Sequence, residues 1–248
     1  MTAADPPERV KRPLMVQHWR QAAFIHWPYP AAAVQPLLPG GLEAETCGGQ
    51  AWVGLVPFLL TVFPVIRAAP EINLRTYVQG PDGGTGIYFF SLELGRPLAA
   101  LVARTGYHIP YVWSDVRFRK TAETLVYTSR RRPPARQATA TIEVEPGPPL
   151  GDDIGELDLF LTARFRLYAG GRRLWRAQVE HPAWRLHQAR ARLDQDLTAA
   201  AGLPDPNGEP HVLYSPGTRA LFGPRIRLPA HATQLGGTAA PTAAAAIR

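Results

Sequence analysis

The sequence predicts a mainly β fold, of the β-rich α+β kind, in a single globular domain. About ten short segments alternate in polarity or are rich in β-branched and aromatic residues, and turns rich in glycine or proline separate many of them. Apolar residues at helical spacing occur only in short stretches. Because strands joined by tight turns run antiparallel, we expect a mostly antiparallel sheet. A sheet of this length usually closes into a barrel or folds into a sandwich, since open edges invite aggregation.

The strand predictions rest on local composition and on alternation. Two uncharged segments near residue 55 are predicted as buried strands, a glycine-rich turn joins the next two strands into a hairpin, and a glycine pair joins the last two. In chain order, the predicted strands are Trp52–Val56, Phe58–Phe63, Glu71–Val78, Gly86–Leu94, Val112–Lys120, Leu125–Arg130, Ala138–Val144, Phe165–Tyr168 and Leu174–Val179. The predicted short helices are Ala31–Leu38, Leu98–Arg104, Glu156–Phe165 and Asp194–Ala201.

The length and composition favour one folded domain between two weakly ordered ends. The chain has 248 residues, of which 46% are hydrophobic and 19% are charged, values typical of a globular protein. We expect residues 1–13 to form a flexible arm, residues 14–228 to form the domain, and the Ala-rich residues 229–248 to be disordered. Glycines and prolines interrupt the uncharged stretch Thr46–Ile66, and no signal-peptide core follows the first basic residues, so we expect a cytoplasmic protein without a membrane span.

The positive charge of the chain is consistent with nucleic-acid binding but is weak evidence for it. The net charge is +7 and 25 of the 27 basic residues are arginine, a skew that a GC-rich coding sequence would produce. The one basic run, Arg130–Arg132, precedes two prolines and is predicted to be an exposed loop. No zinc-finger spacing or aromatic RNA-binding motif accompanies it. Binding to nucleic acid or to an anionic surface through this loop is therefore the weakest of the functional hypotheses.

A row of polar residues occupies one face of a predicted strand. Asn73, Arg75 and Tyr77 alternate with Leu74, Thr76 and Val78, so the two sets point to opposite faces. The polar face either lines an internal cavity or lies in solvent. If the face is internal, the planar guanidinium of Arg75 would bind a carboxylate or another anion.

Three further groups are candidates for acid–base or binding roles. Ser91 and Glu93 share a face of the neighbouring strand, where Glu93 either pairs with Arg75 across the strands or acts as a general base. His181 follows Glu180 at a strand end and is either an acid–base group or a hydrogen-bonded structural histidine. His26, between two large apolar residues, is expected in the core. The dispersed histidines and the single cysteine, Cys47, predict no metal site, and no cofactor motif is present.

Several phrases, occurring in one order from about Trp19 to Phe222, resemble the YqjF-like family of bacterial proteins, within the acetoacetate decarboxylase-like superfamily. They are Phe24–Trp27, Gly49–Gly54, Asn73–Val78, Gly86–Leu94, Leu161–Phe165 and His181–Trp184. The resemblance implies a closed, cone-shaped antiparallel β-barrel with an internal pocket. It also raises the expectation that the row Asn73, Arg75 and Tyr77 faces that pocket.

The resemblance also implies where a catalytic lysine would stand. Decarboxylases of the superfamily use a lysine directly after a proline to form a Schiff base, and the similar phrase here is Ala103–Val112, with Tyr111 after Pro110. Tyr111 either donates a proton or fills the space of the lysine. Arg104, in the same phrase, is a second candidate contact for an anion. Of the two lysines in the chain, Lys11 lies in the arm, and Lys120 either points inward or is solvated.

Two main functions remain open from the sequence. The first is an enzyme that acts on a small carboxylate or carbonyl compound by lysine-independent, lyase-like acid–base chemistry. The second is a non-catalytic protein that binds such a small molecule. For both, we expect an anionic small-molecule ligand, with Tyr111, Glu93 and His181 as catalytic candidates. The binding candidates are Asn73, Arg75, Tyr77, Ser91 and Arg104. Assembly into a homo-oligomer is left open.

Overall fold

The fold is dominated by long β-strands, as a computed structural model of the chain shows. The structure describes residues 5–64, 66–96, 108–151, 153–171 and 173–229. Within them the strands are β1 Met15–Tyr29, β2 Glu43–Ala44, β3 Thr46–Cys47, β4 Gln50–Val62, β5 Ile66–Gln79, β6 Thr85–Leu94, β7 Tyr111–Lys120, β8 Leu125–Arg131, β9 Thr139–Pro149, β10 Arg166–Gly170, β11 Leu174–Glu180, β12 His187–Gln195 and β13 His211–Arg227.

The helices are short. In the described part of the chain they are α1 Ala31–Val34, continued by a 3₁₀ turn at Gln35–Leu37, α2 Glu156–Thr162 and α3 Leu197–Ala200. Glu156 and Asp158 lie in the first turn of α2, where negative charge is stabilised by the helix dipole. The predicted helix Leu98–Arg104 lies outside the described residues. None of the helices within the described residues is long and apolar enough to cross a membrane.

The strand pairings close on themselves. Following neighbours from β1 through β4, β5, β6, β10 and β11 leads to β13, which pairs with β1 again. A second path leaves β6 through β7, β8, β9 and β12 and also reaches β13. The pairs are antiparallel except for β6 with β7 and β6 with β10. The predicted class, mainly β with a mostly antiparallel sheet and few short helices, is confirmed.

Two predicted strands are in fact one. The segments Trp52–Val56 and Phe58–Phe63 were separated by Pro57, but β4 runs through this proline. Pro57 pairs in register with Ile72 of β5. On its other side, the register between β1 and β4 is interrupted between Arg20 and Ile25. Proline has no backbone N–H group to donate. It is tolerated at such an interruption because no regular hydrogen bond between the strands is lost there.

The sequence did not reveal β1, β12 or β13 as strands. In β13, Pro216 and Gly217 interrupt the pattern that would indicate a strand. Pro216 lies opposite Gln21 of β1, where the pairing skips one residue on each strand, and Gly217 pairs with Arg20. Gly217 has a φ of 136°, and a Cβ there would lie 2.1 Å from the carbonyl oxygen of Trp19. Glycine is therefore required at this close approach of β13 to β1.

Two apolar clusters form on opposite faces of β4 and β5. Ile72 and Leu74 point into one cluster, which includes Leu55 and Tyr127. Asn73 and Arg75 alternate with them and point to the other face, where Phe89 belongs to the second cluster. Because both faces are buried, the alternation along β5 decides which side chains reach the inside of the second cluster.

Candidate functional site

A cavity of about 410 Å³ lies inside the second cluster. Strands β1, β4, β5 and β6 supply most of its wall, and β7, β10, β11 and β13 supply the remaining strand residues. Most of the lining side chains are apolar. The polar and ionisable side chains among them are Gln17, Glu71, Asn73, Arg75 and Tyr111. A concave, mostly apolar cavity with a few converging polar groups is the usual form of a small-molecule site.

Three of these polar side chains come from alternate positions of β5. Glu71, Asn73 and Arg75 point to the same face, and all three are buried. The predicted row of Asn73, Arg75 and Tyr77 therefore lies inside the protein, and Tyr77 packs behind Arg75. The sequence interpretation missed Glu71 as a candidate. The same alternation that selected Asn73 extends two residues back to it, so the signal was present.

Arg75 is buried without a counter-charge. It is 8% exposed, and no ion pair joins it to any residue that the structure describes. Its Nη2 donates to the carbonyl oxygen of Leu161 at 2.9 Å and to Tyr77 Oη at 3.2 Å. Its Nε has no hydrogen-bond partner among the residues that the structure describes, and the guanidinium carbon lies 5.5 Å from the ring centroid of Phe24. A buried guanidinium normally has a carboxylate partner, and this one faces the cavity instead.

Tyr77 and His26 form a buried hydrogen-bond network next to Arg75. Tyr77 Oη lies 2.7 Å from His26 Nε2 and 2.8 Å from the carbonyl oxygen of Leu161. Burial lowers the pKa of His26, and the nearby Arg75 charge lowers it further, so this histidine is neutral near pH 7. Because the histidine is uncharged, it contributes a hydrogen bond but no charge to the site.

Glu71 and Tyr111 form a second polar pair on the cavity wall. Tyr111 Oη donates to Glu71 Oε2 at 3.1 Å. Burial raises the pKa of Glu71 to about 8, although the hydrogen bond from Tyr111 opposes the rise. Burial and the neighbouring Glu71 raise the pKa of Tyr111 well above its ordinary value. Both groups therefore carry protons near pH 7, and Glu71 can exchange its proton within the physiological range.

Of the two alternatives for Glu93, pairing with Arg75 is wrong. Glu93 pairs in register with Ile72, and cross-strand partners share a face. Glu93 is thus directed away from Arg75, which shares its face with Asn73. Instead, Glu93 accepts from Arg131 Nη2 at 2.7 Å and from Arg131 Nε at 3.1 Å. Ser114 Oγ donates to the same carboxylate at 2.5 Å.

The basic run Arg130–Arg132 is not an exposed loop throughout. Arg130 and Arg131 are the last residues of β8, and only the side chains of Arg130 and Arg132 are exposed. Arg131 is 6% exposed and donates to Ser91 Oγ at 2.9 Å in addition to Glu93. The prediction failed because strand alternation continues to the end of β8 and turns the middle arginine inward.

His181 lies behind the aromatic part of the cavity wall. Its ring centroid is 6.1 Å from that of Trp19 and 5.4 Å from that of Trp184, and both tryptophans line the cavity. Its Nδ1 lies 2.8 Å from the carbonyl oxygen of Pro182 and its Nε2 3.3 Å from that of Arg164. Burial lowers its pKa.

The structure brings together Asn73, Arg75, Tyr77 and Tyr111, but places Ser91 and Glu93 in a separate cluster.

The remaining candidates lie elsewhere. Arg104 is outside the described residues. Lys11 and Lys120 are both exposed, and neither lines the cavity. Among the residues that the structure describes, no group of three or more histidine, cysteine or acidic side chains is arranged to hold a metal ion. Among the described residues, the ionisable side chains that line the cavity are therefore Glu71, Arg75 and Tyr111, and the amides of Gln17 and Asn73 accompany them.

Comparisons with known proteins agree with this architecture. Residues 16–219 match DUF2071, a family described as an uncharacterized conserved protein. The uncharacterized protein YqjF of Bacillus subtilis is 36% identical over 221 residues, which cover 85% of this chain and 91% of that protein.

Two solved structures share the fold at low identity. The acetoacetate decarboxylase of Legionella pneumophila superposes with a TM-score of 0.62 at 13% identity, covering 90% of this chain and 91% of that one. The enduracididine biosynthesis enzyme MppR, complexed with pyruvate, also gives 0.62 at 11% identity, covering 90% and 94%. At such identities the likeness establishes the fold alone.

Proposed function

Since the chain belongs to the DUF2071 family and has an acetoacetate decarboxylase-like fold, we propose that its cavity binds a small carboxylate or carbonyl compound and acts on it by acid–base chemistry without a lysine imine. Arg75 binds the anionic group of the ligand. Glu71 and Tyr111 contact its polar oxygen. Asn73 lies between Arg75 and Glu71 on β5, and its buried Oδ1 has no hydrogen-bond partner among the described residues. It accepts a hydrogen bond from a hydroxyl group of the ligand, such as that of an enol.

The observation that carries the proposal is the unpaired guanidinium of Arg75. Its Nη2 donates to the carbonyl oxygen of Leu161 and to Tyr77 Oη, whereas its Nε has no hydrogen-bond partner in the described part of the chain. An unpaired buried charge costs several kcal/mol, and a ligand carboxylate would remove that cost. The similar structure of MppR is complexed with pyruvate, an oxo acid of the same chemical class.

The acid–base part of the proposal rests on Glu71. A carboxyl group with a pKa of about 8 holds a proton at neutral pH and can donate it to a carbonyl oxygen. As a carboxylate it can then withdraw a proton from the neighbouring carbon. In this scheme Tyr111 keeps its proton and orients Glu71 through their 3.1 Å hydrogen bond. Glu71 thus takes the role that the sequence suggested for Glu93.

Calorimetric titration with pyruvate and with acetoacetate tests binding. We expect saturable binding that weakens by about tenfold or more in Arg75→Lys, because a point charge cannot reproduce the guanidinium hydrogen bonds. Arg130→Lys makes the same change at an exposed position and should bind like the wild type. The absence of binding by both acids, or equal binding by Arg75→Lys, would contradict the proposal.

Borohydride treatment tests the lysine-independent character. Reduction in the presence of acetoacetate or pyruvate should leave no covalent adduct, since Lys11 and Lys120 are exposed and lack the buried setting that activates a Schiff-base lysine. An adduct found by mass spectrometry on Lys120 would show that the imine mechanism operates from another position.

A non-catalytic binding protein is the second candidate, favoured by the mostly apolar wall of the cavity. Exchange of the carbon-bound protons of bound pyruvate with deuterated solvent, followed by proton NMR, separates the two functions. An enzyme with Glu71 as the acid–base group should catalyse the exchange, and Glu71→Gln should abolish it while pyruvate still binds. Binding without exchange in the wild type would favour the second candidate.

A further inference from the structure

The polar and apolar parts of the cavity wall are separated along the strands. On β5, Arg75, Asn73 and Glu71 follow one another toward the start of the strand, and these positions pair with Gly54, Val56 and Phe58 of β4. Beyond Glu71, the cavity wall on these two strands continues with the apolar residues Leu60, Val62 and Ile66. One end of the cavity therefore carries the charge, and the rest of this wall is hydrocarbon.

The cavity is large for a short oxo acid. A volume of about 410 Å³ falls in the range of about 300–1,000 Å³ that is typical of drug-sized ligands. Pyruvate at Arg75 would leave most of this space to water. Ordered water needs polar partners, and Leu60, Val62 and Ile66 offer none. The polar lining side chain beside them, Gln17 of β1, already donates to Met15 Sδ and accepts from Trp19 Nε1.

We infer that the preferred ligand of this site is an amphipathic monocarboxylate with an extended apolar body. The inference rests on the proposed function, because it places the carboxylate at Arg75. The apolar body extends past Phe58 toward Leu60, Val62 and Ile66. Each methylene group that enters this part of the cavity leaves water, so binding strengthens with the length of the apolar body until the cavity is full.

Titration calorimetry with acetate, butanoate, hexanoate and octanoate measures this dependence directly. Burial of one methylene group is worth about 0.8 kcal/mol, which corresponds to about a fourfold lower Kd. We therefore expect octanoate to bind at least about tenfold more tightly than butanoate, and methyl octanoate, which lacks the charge, to bind much more weakly than octanoate. The series uses the wild-type protein and does not depend on the folding of a variant.

A filled cavity provides the positional test. Val62 lines the apolar part of the cavity and pairs with Ile66, so Val62→Phe should reduce the affinity for octanoate more than the affinity for butanoate. Ala122→Phe adds the same ring at an exposed position and should change neither affinity. If the larger ring prevents folding, Val62→Met makes the same comparison with less added volume.

The outcomes separate this inference from the proposed function. Tight binding of octanoate that Val62→Phe weakens selectively would support both. Equal affinities for acetate and octanoate would overturn the extended apolar body and leave carboxylate binding intact. Failure of every carboxylate to bind would overturn the proposed function and the inference with it, as would equal binding of octanoate and its methyl ester.

Discussion

Two buried arginines, Arg75 and Arg131, have opposite surroundings. The side chain of Arg131 is 6% exposed and that of its partner Glu93 is 0% exposed, with 2.7 Å between Nη2 and Oε1. Arg75 is also buried, but its hydrogen bonds go to a carbonyl oxygen and a tyrosine hydroxyl. Because a buried charge is costly unless it is compensated, the difference is one of charge balance: Arg131 is neutralised by Glu93, whereas Arg75 has no counter-charge among the residues that the structure describes.

The carboxyl groups near the two arginines differ in the same way. Glu93 accepts hydrogen bonds from Arg131 and Ser114, so its oxygens are well supplied with donors. Glu71, on the cavity wall, receives one hydrogen bond from Tyr111, and burial raises its pKa to about 8. Burial alone thus does not identify a functional residue in this protein. The informative feature is burial together with incomplete pairing.

The largest effect should come from breaking the paired arginine. Glu93→Ala leaves Arg131 buried without a counter-charge, and we expect the free energy of unfolding to fall by about 3–5 kcal/mol. Arg75→Met removes a buried charge that has no counter-charge among the described residues, so it should leave the free energy of unfolding unchanged or raise it. Urea unfolding measures both. Similar losses in the two variants would remove the distinction between the arginines, and the double replacement of Glu93 by Leu and Arg131 by Met should recover most of the lost stability.

The next effect concerns the pH dependence of Glu71. The unfolded chain releases this proton near the ordinary pKa of 4.5, whereas the folded protein keeps it up to about pH 8. The free energy of unfolding should therefore fall as the pH rises through that window, by a few kcal/mol. Glu71→Gln should remove this fall and be more stable than the wild type at pH 8.

Urea unfolding at several pH values checks this prediction. Glu143→Gln, at an exposed position of β9, is the matched control and should keep the pH profile of the wild type. If the wild type and Glu71→Gln have parallel profiles, the carboxyl group of Glu71 is not held in its protonated form by the fold.

A smaller effect is expected behind Arg75. Tyr77→Phe removes the hydroxyl group that contacts Arg75, His26 and the carbonyl oxygen of Leu161. A buried polar group left without its hydrogen-bond partner lowers the free energy of unfolding by about 1–3 kcal/mol. Carboxylate binding should also weaken severalfold, because Arg75 loses one of the hydrogen bonds that hold it in place. Tyr88→Phe is the control, because the Tyr88 hydroxyl makes no hydrogen bond to a residue that the structure describes. Unchanged stability and binding in Tyr77→Phe would mean that Arg75 does not depend on this network.

The smallest effect should come from the exposed neighbours of Arg131. Arg130 is exposed, so Arg130→Ala should change the free energy of unfolding by no more than about 0.5 kcal/mol. Urea unfolding of Arg131→Ala in the same series gives the loss at the buried neighbour. The difference between the two losses measures how strongly strand alternation makes adjacent arginines differ in their contribution to stability. A large loss in Arg130→Ala would contradict the placement of these two side chains.

The sequence predicted the class of the fold and part of the site. Alternation in Glu71–Val78 correctly separated the face of Arg75 from the core face of Leu74, because this periodicity is local. Pro57 and Gly217 lie inside long strands and looked like breaks. Their tolerance depends on irregular pairing with β1, which local composition does not encode. The predicted domain limits and the flexible arm remain predictions, although Arg9 and Val10 of that arm contact Glu180.

The sequence by itself determined the strand-rich class, the polar row on β5 and the scarcity of lysine, because composition and periodicity are properties of neighbouring residues. Only the tertiary structure decided which carboxylate meets which arginine. Glu93 was expected beside Arg75, but the register of β5 with β6 places it on the face of Ile72, and the pairing of β7 with β8 brings Arg131 to it. For the same reason, Arg75 has no ion-pair partner among the described residues. The partner of a buried charge depends on strand register and on closure of the sheet, because these bring together residues that are distant in sequence.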